Sequence, residues 1–147
     1  MPRDSVVVKV TIDAAAETVW QLLTVARATW WPEMTFDPRV GSPLVETWIE
    51  EDGREASATG VVTRCERPEV LSFRWSEPTW EHPLDVAIRL VETGQSTSVT
   101  LAETGFARAR TGPSLPDEHE EGWRYHLARL RRASEGGLAV PDASRGP

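Results

Sequence analysis

The sequence predicts an α+β fold in which an antiparallel sheet is covered by one long C-terminal helix, and three observations carry that prediction. Residues 117–132 read as an amphipathic helix, because Trp123, Leu127 and Leu130 recur at i, i+4 and i+7, with His119, Gly122, His126 and Ala133 on or beside the same face. Upstream, successive segments alternate apolar and polar residues with a period of two and are joined by short turns, so they read as strands meeting their neighbours antiparallel. The chain enters this pattern through a strand followed by a helical stripe, which places two short helices between the first strand and the rest.

Val6, Val8, Val10 and Ile12 share one face of the first strand, over about 5–13. The period then changes: Val19, Leu22 and Leu23, with Trp20 beside them, make a helical stripe over 14–23, and a second short turn of helix runs through Val25 to Trp30. Pro32 stops it by disfavouring helix at Trp31. Two adjacent tryptophans at a helix end are not expected to enter one core together, so at least one should face a pocket rim, a partner or the strand beneath.

Met34 to Val40 reads as a short strand closed by Gly41-Ser42-Pro43. Leu44, Glu46, Trp48 and Glu50 alternate with Val45, Thr47 and Ile49 before a hairpin turn at Glu51-Asp52-Gly53. The strand over 55–66 is rich in small residues, Ala56 to Gly60, which leave room above it. Leu71, Phe73 and Trp75 share a face of the strand over 70–76; Val86, Ile88 and Leu90 do so over 84–92, and Val99 and Leu101 over 97–103. Residues 105–116 carry two glycines and two prolines and read as the loop back to the helix, which either Ser114 or Asp117 could cap. Gly122, in the second turn, costs roughly 1 kcal/mol of helix propensity relative to Ala, so either the sheet approaches closely there or a cavity lies beneath.

Composition narrows the function. The 147 residues suit one domain, assigned to 1–135, with a Gly-, Pro- and Ala-rich tail over 136–147 expected to be disordered. A net charge of −7 disfavours nucleic acid and anionic membrane surfaces, and no apolar run is long enough to span a bilayer. A single cysteine, Cys65, excludes a disulfide framework; with no signal-like segment, a cytoplasmic location is expected. Lys9 is the one lysine beside fifteen arginines, a bias attributed to codon composition rather than to ligand clamps. Seven tryptophans against one tyrosine and three phenylalanines suit a core or pocket with wide flat walls.

The chain resembles the START-like, helix-grip superfamily (SRPBCC), and within it the family named after the activator of heat-shock protein 90 ATPase. The residues that carry the resemblance are Ala14, Thr18, Val19, Trp20 and Leu23; Trp30-Trp31-Pro32; Asp52-Gly53-Arg54 with Gly60-Val61-Val62; Arg67-Pro68-Glu69-Val70-Leu71 into Phe73 and Trp75; and His119, Gly122, Trp123, Leu127 and Leu130. The resemblance spans Val6 to Ala133 and implies a curved sheet of six to seven strands gripping the long helix. It also implies a cavity between them, which relatives use for apolar ligands or polyketide cyclisation. Through the activator it implies a link to stress response. The co-chaperones that gave the family its name carry a separate N-terminal domain whose motifs have no counterpart ahead of Val6, which weighs against a co-chaperone role.

No metal set, nucleophile elbow or phosphate loop is evident. His119 and His126 lie two turns apart, too far to chelate one ion from the same helix, His82 sits on a loop, and the acids from Glu118 to Glu121 read as a solvated helix start. No metal and no cofactor are expected. For acid–base chemistry the candidates are His119, His126, Glu46, Arg74 and Arg89. The expected function is binding of a hydrophobic, aromatic or lipid-like small molecule between sheet and helix. The expected ligand-binding residues are Trp31, Phe36, Trp48, Trp75, Trp80, His119, Gly122, Trp123 and His126. A protein-interaction module and a cyclase-like enzyme are the alternatives, and a homodimer or a chaperone partner is left open.

Overall fold

The computed structural model describes residues 3–136. β1 (Ser5–Ile12) is followed by α1 (Ala16–Leu23), a single 3-10 turn (Arg27–Thr29) and β2 (Met34–Thr35). Then come β3 (Pro43–Ile49), β4 (Glu55–Glu66), β5 (Val70–Ser76), β6 (Leu84–Thr93), β7 (Ser96–Thr104), α2 (Phe106–Ala109) and α3 (Leu115–Ser134). The seven strands form one antiparallel curved sheet in the order β1-β7-β6-β5-β4-β3-β2. From β2 to β7 each strand pairs with its neighbour in sequence, whereas β1 crosses to the far edge and pairs with the last strand, Val6 opposite Glu103 and Val10 opposite Val99.

The core lies between the concave face and α3. Val6, Val8 and Ile12 of β1, Val99 and Leu101 of β7, and Leu127 and Leu130 of α3 are all buried in it. The backbone of α3 approaches β1 and α1 and stands off from β3, β4 and β5, so large side chains have to bridge the wider end of the grip. Among the described residues no helix is long and apolar enough to cross a membrane.

Several expectations change. The strand expected over Met34 to Val40 stops at Thr35, because Pro38 cannot donate to a ladder and the Asp37 amide donates instead to Ser42 Oγ at 2.9 Å. The loop over 105–116 contains α2, whose Phe106 is buried in the core. The long helix starts at Leu115 with Ser114 as N-cap, but the Ser114 hydroxyl donates to Glu118 at 3.0 Å rather than capping a backbone amide, and Asp117 lies inside the first turn. Trp30 and Trp31 both bury in one core, contrary to expectation, while Trp31 reaches the strand beneath and both line a cleft, as expected of at least one. Their rings lie 5.6 Å apart and their indole N–H groups donate in different directions, to the Leu22 carbonyl at 2.6 Å and to Glu46 of β3 at 3.1 Å. A tryptophan pair enters one core when each donor has its own acceptor. Of the tail expected over 136–147, all but Gly136 lies outside the described residues.

Candidate functional site

The wide end of the grip is organised by a carboxylate. On β7 the alternation that buries Thr97, Val99 and Leu101 also turns Glu103 inward, where it is fully buried. Its Oε2 accepts the indole N–H of Trp75 at 2.8 Å, and its Oε1 accepts that of Trp123 and Nδ1 of His119, each at 2.8 Å. An ionised carboxylate offers only acceptors, which matches three converging donors and places the His119 proton on Nδ1. His119 and Trp123 stand one turn apart on α3, so one buried group ties the helix to β5 and β7.

Burial works to lower the His119 pKa, but the hydrogen bond and charge of Glu103, with Glu77 and Glu118 adding, outweigh it and leave the pKa raised. A raised pKa means that protonated His119 stabilises the fold fully below its unfolded value near 6.5, and that this contribution fades as pH climbs through the higher folded value. Denaturant unfolding across that window should therefore show stability falling with rising pH, and His119→Gln should flatten that part of the profile. An unchanged slope in the variant would remove His119 as its source.

Around this anchor the aromatic rings form a wall. Trp75 stacks on Trp123 with centroids 5.6 Å apart, Trp123 meets Trp31 edge-on at 5.8 Å, and Trp31 stacks on His126 at 4.2 Å. Two clefts open on either side of Glu46 and Trp48, which share the inward face of β3 as residues i and i+2. One, of about 530 Å³, is walled by Trp48, Trp75, Trp80 and Ala58 and by Leu115, His119 and Gly122 of α3, with Glu46, Glu50, Glu77 and Glu118 around it. The other, of about 550 Å³, is lined by Trp30, Trp31, Trp48, Glu46, Tyr125, His126 and Arg129 among others.

Two groups lining the clefts are strongly shifted, Glu46 on both and His126 on the second. Burial pushes the Glu46 carboxyl up to about 7 against the hydrogen bond from Trp31; Glu33 and Glu77 add to the rise and His119 opposes it. Burial, assisted by the charge of Arg129, lowers His126 to about 4, and its buried Nδ1 has no hydrogen-bond partner among the described residues. At neutral pH the His126 imidazole is thus neutral and the Glu46 carboxyl is poised between its two forms, so Glu46 is the group able to exchange a proton with a bound molecule.

Of the expected residues, Trp31, Trp48, Trp75, Trp80, His119, Gly122 and His126 line one cleft or the other. Trp123 sits behind them in the core, and Phe36 stands apart, its ring under the Arg27 guanidinium at 4.6 Å. That arginine is buried and donates to the carbonyls of Thr24, Met34 and Phe36, holding the turn around it. Glu103 was not among the expected residues, although its place two beyond Leu101 on an alternating strand is the signal that finds it. Among the described residues no group of three His, Cys, Asp or Glu side chains is placed to hold a metal ion.

Residues 13–135 match the family described as activator of Hsp90 ATPase homolog 1-like protein. No curated protein matches the sequence. Among solved structures, DynU16 of the dynemicin biosynthetic locus superposes with a TM-score of 0.77 at 24% identity, over 92% of this chain and 49% of its own, so the chain spans about half its length. CalU16 from Micromonospora echinospora gives 0.73 at 25% identity over 97% and 69% of the two chains. The Aha1 dimer from Colwellia psychrerythraea gives 0.73 at 18% identity over 92% and 98%.

Proposed function

The chain belongs to the family of activator of Hsp90 ATPase homolog 1-like proteins, and on that premise we propose that it binds a hydrophobic small molecule in the clefts between the sheet and α3. A shared fold does not decide function, so the proposal stands on the site. Its main support is the space at Gly122: a Cβ built there meets no heavy atom within 4 Å, and the adjoining cleft of about 530 Å³ is of ordinary ligand-pocket size and walled by three tryptophans. The fold likeness to a protein of a biosynthetic locus fits a small-molecule role. Acid–base chemistry on the bound molecule is the second reading, favoured by Glu46 with its pKa near 7.

Two substitutions at one position test the proposal. Gly122→Ala should raise stability by about 0.5–1 kcal/mol through helix propensity, since the methyl enters open space. Gly122→Leu should keep the fold but fill the cleft, and an apolar naphthalene-type probe that quenches or shifts tryptophan fluorescence in the parent should lose about tenfold or more in affinity. Probe affinity unchanged in Gly122→Leu would refute binding in this cleft.

A further inference from the structure

The cleft beside Gly122 is lined by acids that no lysine or arginine neutralises. Glu46 comes from β3, Glu50 from the turn after it, Glu77 from the segment after β5 and Glu118 from the first turn of α3, four places in the chain that meet on one cavity. Elsewhere the arginines do pair with acids: Arg67 with Glu17, Arg64 with Glu66, Arg74 with Asp85, Arg124 with Glu120 and Arg131 with Glu135. Among the described residues none of the four cleft acids has such a partner. Glu46 and Glu50 accept indole N–H groups, from Trp31 at 3.1 Å and Trp48 at 2.9 Å, and Glu118 accepts the Ser114 hydroxyl.

The one basic group on this cavity, His119, is tied through Nδ1 to Glu103, and its charge offsets the acids only in part, since Glu46 and Glu77 stay raised against it. Arg54 lies in an adjoining cleft that shares Glu50 and Glu77, and faces Asp52 at 4.0 Å. Unneutralised carboxylates beside a low-dielectric wall repel one another and lose hydration. The consequence is visible at Glu77, raised by burial against the opposing charge of His119, with Glu50 adding, and more strongly at Glu46. An inorganic divalent cation would relieve this only with several oxygens converging on a point, and no such group is formed among the described residues. What remains is a diffuse negative field facing the flat rings of Trp48 and Trp80, the combination of carboxylate and aromatic face that holds organic ammonium groups.

We propose that the molecule taken by this cleft is an organic cation, an amine carried on an apolar ring-sized body, with the ammonium among Glu46, Glu50, Glu77 and Glu118 and the body against Trp48, Trp75 and Trp80. The inference rests on the small-molecule reading above and adds the charge of the ligand. It is tested with three probes of one shape, naphthylmethylamine, naphthylmethanol and naphthoate, titrated at neutral pH by tryptophan fluorescence and calorimetry. The amine should bind about tenfold tighter than the alcohol and the carboxylate weakest, with the preference shrinking as salt is added.

In the combined Glu50→Gln, Glu77→Gln and Glu118→Gln variant, checked for an unchanged unfolding transition, the gap between amine and alcohol should collapse. Equal affinity of amine and alcohol in the parent, or a preference that survives in the variant, overturns the cationic ligand and leaves apolar binding standing. Failure of all three probes to bind overturns both.

Discussion

Glu103→Ala is expected to lower unfolding free energy by about 3–5 kcal/mol, the range for removing one partner from a buried charged network. The cost comes from what is left behind more than from what is lost. The indole N–H groups of Trp75 and Trp123 and Nδ1 of His119 all end on this carboxylate, and in the alanine variant all three donors face a space that no protein acceptor fills. Glu103→Gln keeps the volume but turns one acceptor into an amide N–H, so one of the three donors meets another donor. Its loss should be smaller, about 1–3 kcal/mol. Urea unfolding followed by tryptophan fluorescence reads both, and the native spectrum of the alanine variant should shift because two of the reporting indoles lose their acceptor. A loss below about 1 kcal/mol for Glu103→Ala would show that the carboxylate is not what holds the helix to β5 and β7.

Gly60→Ala should destabilise the protein, although Gly to Ala within a strand ordinarily gains about 0.5–1 kcal/mol. A Cβ at Gly60 would lie 1.8 Å from the carbonyl oxygen of Arg74 and 2.7 Å from the Cα of Trp75, both backbone atoms of the neighbouring strand. A side chain could rotate away; a paired backbone has to move. Forcing β4 and β5 apart should cost about 1–3 kcal/mol or more and displace Trp75, which lines the cleft and donates to Glu103. Thermal unfolding of the variant checks the sign: a Tm equal to or above the parent's would refute the close approach. Gly122→Ala, with open space at its Cβ, is the matched control in which the same chemical change should stabilise.

The two glycines show what a pattern of residues can and cannot say. The run of small residues from Ala56 to Gly60 predicts room above the strand, and Ala58 does floor the cleft. Gly60 is small for a different reason, the nearness of β5, and no property of its own segment distinguishes it from Ala58. Gly122 raised two alternatives, close approach or cavity, and only its surroundings in space select the cavity. The alternation on β3 had already grouped Leu44, Glu46, Trp48 and Glu50, and in the structure the last three of these face the same cleft. Two acids on an inward face were thus legible; that Glu77 and Glu118 join them was not, since they lie on segments with no strand period to orient them.

The sequence by itself determined most of the local elements, though not α2 or the shortness of β2: where the period is two, where it is near 3.6, and where Gly, Pro and Asp-Gly pairs break it, because these follow from backbone geometry within a few residues. It also determined the inward faces, including the one that carries Glu103. Only the tertiary structure decided which faces meet. Glu103 finds Trp75 at a separation of 28 residues, β1 finds β7 across the whole sheet, and Glu46, Glu77 and Glu118 share a cavity from three unconnected elements. A period assigns a side chain to a face but not to a partner. The partner is set by how the sheet curves and where the helix lies across it, which depends on packing summed over the whole core.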